Sequence, residues 1–362
     1  MPTFRPIALA LITTLAMGAS RPAILPAAPL SATPPPFTGD LSVLTYNVHG
    51  APWPVTWDRP AQFDRMAATL AHLRRMGHNP HIVVLQEAFT QDAQAIGRAA
   101  GYRYIVDGPT AATGSTARAD GADQLFAAAN SWFKGEGLGK YVGSGLQILS
   151  DYPLTDVHRM AYPSFACAGY DCLANKGAVM ASVQLPDRTD PVDIVTTHLN
   201  SRFASGVADG RSLQAYRQQV GYLTDFIHSA HNPAHALIVA GDFNVGWSTA
   251  RRTDLLDHAH RDWSAPGDGI DNAYDAARRT AMPLSKDAIF SRNRARDWEF
   301  YAPGKVTTIA LRQIDVPFGH AADGSMLSDH VGYTATFHLS RPGRTATSFA
   351  RSTRSGSGAA RA

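Results

Sequence analysis

Short apolar runs that end in an acid, an amide or an imidazole constrain this chain more than any other feature. Asn47 follows LSVLTY, Glu87 follows HIVVLQ and His198 follows VDIVTT. Asp242 and Asn244 close ALIVAGDFN, and Asp329 with His330 completes the series in MLSDH. Short β-branched apolar runs read as buried strands. A polar residue at the end of each strand surfaces at a common sheet edge. Carboxylates, amides and imidazoles converging there suit a hard cation beside general acid/base groups.

Helical periodicity appears between the strand-like runs. PAQFDRMAATLAHLRRMG repeats Phe63, Met66, Ala67, Leu70 and Leu73 on one face, with Pro60 in the first turn and Gly77 at the stop. SLQAYRQQVGYLTDFIHSA is a second amphipathic helix. GLQILS, GAVMASVQL, DAIFS and VGYTATFHL add strand candidates, whereas Gly108 to Ala129 has little periodicity and reads as loop. Several strands adjoin without a helix between them. An α/β protein with mixed or paired sheets fits better than a doubly wound parallel sheet.

The ends of the chain differ from its middle. Residues 1–20 read as a signal peptide, with Arg5, an apolar stretch from Ile7 to Met17 and small residues from Gly18 to Ser20. That stretch is too short for a transmembrane span, so the expectation is a secreted protein, extracellular or periplasmic. Residues 21–39 read as a Pro/Ala-rich linker, 40–340 as the folded domain that carries the strand-end groups and 341–362 as a disordered Arg/Ser-rich tail. The chain carries +3; the tail's five arginines with Arg5 and Arg21 exceed that, leaving 40–340 at −4. Such a domain lacks the general basic surface that grips nucleic acid. Cys167 and Cys172 are the two cysteines, and in an exported chain they read as a small disulfide loop.

Taken singly, the polar residues have ordinary readings. Glu87 could be an acid meeting solvent, Asn47 a turn residue and His198 a hydrogen-bonded half-buried histidine. GDFN is more specific, because Asp242 and Asn244 sit two apart and share a side in an extended segment. The adjacent Asp329 and His330 can serve a metal and a reacting oxygen at one point. Phosphodiester hydrolysis needs an oriented, activated water and positive charge against the non-bridging oxygens, and this set supplies both.

LTYNVHG, VVLQEAF, TTHLN, IVAGDFN, KDAIF and LSDH together resemble the endonuclease/exonuclease/phosphatase superfamily, the DNase I-like fold, from about Leu41 to Leu339. The resemblance implies a four-layer α/β sandwich, two mixed β-sheets packed face to face and flanked by helices. It also implies hydrolysis dependent on Mg2+, with Mn2+ or another divalent cation as a possible substitute. Glu87 resembles the principal metal carboxylate with Asn47 beside it, and Asp329 a possible further metal ligand. Asp242 resembles the residue that orients and deprotonates the attacking water, and Asn244 the amide on a phosphoryl oxygen. His198 resembles the phosphate-side imidazole and His330 the second imidazole, oriented by Asp287. The family often has an aromatic after that aspartate, where this chain has Ala288.

GSGLQILSDYPL followed by DCLANKGAVMASVQLP resembles the neutral sphingomyelinase and lipid-phosphatase branch. It makes Lys176 a candidate phosphate contact, its other reading being a turn lysine facing solvent. Asn200 of TTHLN is the second substrate-binding candidate. The expected substrate is a phospholipid at a membrane surface. Trp132-Phe133 and Val316-Pro317-Phe318 read first as core aromatics, and as membrane-touching loops if exposed. The alternatives are an extracellular DNase I-like nuclease, favoured if Arg202, Arg211 and Arg217 line the mouth, and an inactive binding module. No member of the acid, amide and imidazole set is missing, which argues against the last.

Overall fold

The computed structural model describes residues 34–51, 56, 59–265 and 267–341. The expected signal peptide, the linker as far as residue 33 and the tail beyond Arg341 lie outside the described residues. In chain order the elements are β1 (Asp40–Asn47), α1 (Pro60–Arg75), β2 (Ile82–Gln86), α2 (Gln91–Ala99), β3 (Tyr104–Asp107), α3 (Gly121–Ala128) and β4 (Gln147–Ser150). Next come β5 (Leu154–Ala161), β6 (Gly177–Val183), β7 (Val192–His198), α4 (Asp209–Ala230), β8 (Ala236–Asp242) and α5 (Thr249–Asp262). The last are β9 (Asp271–Asn272), α6 (Ala273–Arg279), α7 (Lys286–Arg294), β10 (Asp297–Ala302), β11 (Thr308–Phe318) and β12 (Gly332–Ser340).

The strands form two six-stranded sheets, ordered β11-β12-β1-β2-β4-β3 and β5-β6-β7-β8-β10-β9. Each is mixed: β1 runs parallel to β2 and β7 parallel to β8, while their outer neighbours are antiparallel. Alternation along the strands sorts the core into layers. Val43, Ile82 and Val84 face Val179, Ile194 and Ile238 of the other sheet. Leu44, Val83 and Leu85 turn outward onto Phe63, Met66 and Leu70 of α1. Val195, Leu237 and Val239 turn outward onto Val220 and Leu223 of α4. Both faces of each sheet are therefore buried, which is why the central strands read as continuous apolar runs. The result is the expected four-layer α/β sandwich. Truncating one of these inter-sheet side chains, for example Ile238→Ala, removes about 2–5 kcal/mol.

Two local expectations are corrected. Within the stretch expected to be loop, α3 forms because Asp120 and Asp123 make a reciprocal capping box and Phe126 is buried. DAIFS is not a strand but lies in α7, where the Ser285 side chain accepts from the Ala288 amide. Ala288 is buried there while Ile289 and Phe290 are exposed, the signature of one helical face rather than of a core strand. Cys167 and Cys172 are disulfide-bonded, with Cα atoms 5.2 Å apart.

Candidate active site

The parallel pairs β1–β2 and β7–β8 end at the same rim of the sandwich, so Asn47, Glu87, His198 and Asp242 meet there. Gly241 permits the approach of β8 to β7, since a Cβ at that position would strike the carbonyl oxygen of Thr197. Three non-glycine residues in the loops at this rim hold left-handed backbone: His49 (φ 54°), Glu87 (φ 58°) and Asn244 (φ 49°). Such backbone costs about 1–3 kcal/mol per residue and persists where the surroundings over-determine it. Here it swings Glu87 off the end of β2 into a cavity of about 240 Å³ shared with Asp242, His198 and His330.

Asp242 is the hub. Asn47 Nδ2 donates to Asp242 Oδ2 at 3.0 Å and to Glu87 Oε1 at 2.9 Å, and the Asn244 amide donates to Asp242 Oδ1 at 2.9 Å. His198 Nε2 lies 3.5 Å and His330 Nε2 3.7 Å from Asp242 Oδ2. Burial works against ionisation of Asp242, but His330, His198 and the two amide donors outweigh it and hold the carboxyl below its usual range. It is thus a carboxylate at neutral pH, able to orient a water and accept a proton from it.

The two imidazoles are shifted in opposite directions. His330 is buried, which opposes a proton. Asp297, with both oxygens 2.9 Å from Nδ1, and Asp242 on the other side nevertheless lift its pKa to about 9. His198 is pushed below its usual value first by burial and then by Lys176, with Asp242 and Glu87 offsetting part of the shift. Lys176 Nζ stands 3.2 Å from His198 Nε2, 3.0 Å from the Leu199 carbonyl and 3.0 Å from Asp171 Oδ1. One ring is therefore an imidazolium and the other a neutral imidazole.

Several sequence-derived assignments meet at this cavity and others do not. Asn47, Glu87, His198, Asp242 and His330 converge. Lys176 is buried against His198, not a turn lysine facing solvent. Asn244 lines the cavity, but its amide is turned back to donate to the Leu199 carbonyl at 3.0 Å. Asp329 also lines it, half exposed, with His49 Nδ1 at 3.2 Å and Arg296 Nη1 at 3.4 Å on its carboxylate. Asn200 is not a substrate contact. It is fully buried, accepting from the Ala168 amide and donating to the Ser201 carbonyl, so it braces the loop beneath the site. Asp287 does not orient His330. Sitting on α7, it pairs with His320, and Asp297 at the start of β10 takes the place assigned to it. The clue lay in the sequence: Asp297 is followed by the aromatic Trp298, the feature missing after Asp287. Asp171, Arg294 and Arg296 also line the cavity and had no local pattern to mark them.

Two groups of residues could hold a divalent metal. Asp242, Asp297 and His330 place ligand atoms within 4.8 Å of one another. In that group the imidazole spends Nδ1 on Asp297. Glu87 fits better: its carboxylate lines the cavity with no ion-pair partner among the described residues, and Asn47, buried beside it, offers an Oδ1 that also accepts from the His49 amide. Glu87 would hold such an ion, which would supply positive charge against the non-bridging phosphoryl oxygens.

The sequence matches the endonuclease/exonuclease/phosphatase family over residues 44–330. The chain belongs to that family. It is a metal-dependent phosphoric diester hydrolase, with the cavity above as its candidate centre. No curated protein matches the sequence. The fold is similar to that of sphingomyelinase C from Streptomyces griseocarneus, at 20% identity over 83% of this chain and 99% of that one, with a TM-score of 0.52. It is similar to a beta toxin mutant from Staphylococcus aureus with bound magnesium ions, at 18% identity over 82% and 99% and a TM-score of 0.53. It also resembles D. rerio TDP2 complexed with single strand DNA product, at 16% identity over 82% and 98% and a TM-score of 0.52.

Proposed function

We propose that the protein is a secreted Mg2+-dependent phosphodiesterase that removes phospholipid headgroups in the manner of a sphingomyelinase. The observation that carries this reading is the burial of Lys176 against His198 and Asp171, since the Lys176-Gly177 segment is what resembles the lipid-cleaving branch. Trp132 and Phe133 lend support: they are stacked on each other and exposed, not core residues. Arg211 pins their segment to α4 by pairing with Glu136 at 2.7 Å. Phe318, by contrast, is buried on Tyr46 and has no membrane role. Glu87 and Asn47 are the proposed Mg2+ ligands. Asp242 orients and deprotonates the water, and His330 and Lys176 carry positive charge toward the phosphoryl oxygens. Secretion rests on the leader composition and accords with the disulfide, which persists in oxidising compartments.

The nuclease reading loses its main support. Among the three arginines that would have favoured it, Arg202 lines the cavity but pairs with Asp209, Arg211 is tied to Glu136 and Arg217 pairs with Asp254. The test is parallel incubation with Mg2+ on sphingomyelin vesicles and on plasmid DNA, with Asp242→Ala and His330→Ala as controls. Phosphocholine released only by the unmutated chain supports the proposal. Nicked plasmid without phosphocholine moves the assignment to a nuclease, and activity in both variants rejects the site.

A further inference from the structure

Arg294 and Arg296 flank the αL residue Ala295 that ends α7, and both line the cavity on the side of Asp329 and His330. Their partners do not match their charge. Arg294 Nη1 donates to the backbone carbonyl of Asp329, and among the described residues no carboxylate pairs with Arg294. Arg296 reaches the Asp329 carboxylate through Nη1 at 3.4 Å, and the same nitrogen is 3.3 Å from His330 Nε2. That carboxylate is shared with His49 and is half exposed. Two guanidiniums thus share one exposed acid at the edge of a cavity that admits solute. Guanidinium forks match phosphate and carboxylate geometry, and an incoming anion relieves their mutual repulsion.

We propose that Arg294 and Arg296 form a second anion subsite, selecting phosphodiesters that carry a further phosphate or carboxylate next to the scissile group. This rests on the phosphodiesterase reading of the centre but not on its lipid branch. Among lipids it adds a preference for headgroups that bear a second anion beside the scissile phosphate. Arg296 would bind the added anion through the guanidinium nitrogens that Asp329 leaves free, and Arg294 would supply the flanking charge.

Calorimetric titration of the full chain with inorganic phosphate and with pyrophosphate, in chelator, tests the subsite without catalysis. Pyrophosphate should bind at least about tenfold more tightly, the scale of one added charge-assisted contact, and Arg294→Gln/Arg296→Gln should abolish the preference. Arg296→Lys, which keeps the charge but loses the fork, should retain part of it. If the arginines only brace the Asp329 loop, the double variant melts lower and weakens both anions equally, and the proposal falls. It also falls if the unmutated chain shows no preference. With Mg2+, the p-nitrophenyl ester of thymidine 5′-phosphate with and without a 3′-phosphate, and phosphatidylcholine vesicles with and without phosphatidylinositol phosphate, distinguish a soluble from a lipid source of the anion. Hydrolysis of none of these rejects the phosphodiesterase reading, while the calorimetric preference still decides the subsite.

Discussion

Asp297 and His330 join the two sheets at the active rim: both carboxylate oxygens of Asp297, on β10 of one sheet, lie 2.9 Å from Nδ1 of His330, which precedes β12 of the other. Both residues are buried, so the bond sets the tautomer and orientation of the ring and leaves Nε2 facing Asp242.

Replacing Asp297 with Asn keeps the shape and removes the charge. The His330 pKa should fall from about 9 toward the ordinary ~6.5, read by NMR titration of the ring protons. A step that needs the imidazolium is then lost as pH rises through that lower value rather than near 9. The turnover rate should drop by about 10²- to 10⁴-fold, the scale of an orienting carboxylate lost behind a catalytic histidine. An unshifted ring titration would remove Asp297 from this role.

Glu87→Gln should weaken divalent-ion binding without unfolding the chain, because its carboxylate anchors no ion pair among the described residues. Calorimetric titration with Mg2+ should show a loss of at least about tenfold, the lower end of what even outer partners of a metal ligand cost. Asp297→Asn should leave Mg2+ affinity nearly unchanged. If the two variants exchange these behaviours, the ion belongs in the Asp242–Asp297–His330 cluster instead.

Glu299 sits fully buried on β10, and burial pushes its pKa well above the usual value, with the backbone of Ala335 only partly offsetting the shift. A carboxyl whose folded pKa is raised binds its proton more tightly in the native state. Stability therefore falls as pH rises above the unfolded value of ~4.3 and continues falling until the folded pKa is reached. Glu299→Gln abolishes this dependence, so its gain in melting temperature over the parent should grow from pH 5 to pH 8. A difference that is flat across that range would show that Glu299 does not retain its proton.

The Cys167–Cys172 bridge closes a loop that carries Asp171, which pairs with Lys176 and accepts from the Ser201 amide. Replacing both cysteines with Ser should cost about 2 kcal/mol through the loop entropy regained on unfolding. It should also lower activity more than stability alone explains, because the Asp171–Lys176–His198 alignment loosens. Full activity at temperatures well below the melting transition would show that Asp171 is held without the bridge.

The sequence states some of these relationships locally. The runs before Asn47, Glu87, His198 and Asp242 are apolar because β1, β2, β7 and β8 are buried on both faces, so each strand and its polar end could be read in place. Helices α1 and α4 were legible for the same reason, one apolar stripe apiece. DAIFS was misread because three apolar residues suit either a strand or a helical face, and the Ser285 cap decided between them.

What the sequence by itself determined is the set of strand-end groups, the order in which they occur and the family to which they belong. Burial of an apolar run is a property of neighbouring residues, and it carries the terminal polar group with it. Only the tertiary structure decided that Asp297 rather than Asp287 partners His330, that one histidine is charged and the other neutral, and that Asn200 supports a loop. Those outcomes depend on distances between residues remote in the chain and on how much water each group loses. Asp297 has the following aromatic that Asp287 lacks, but which of the two reaches the imidazole is fixed by the packing of one sheet against the other.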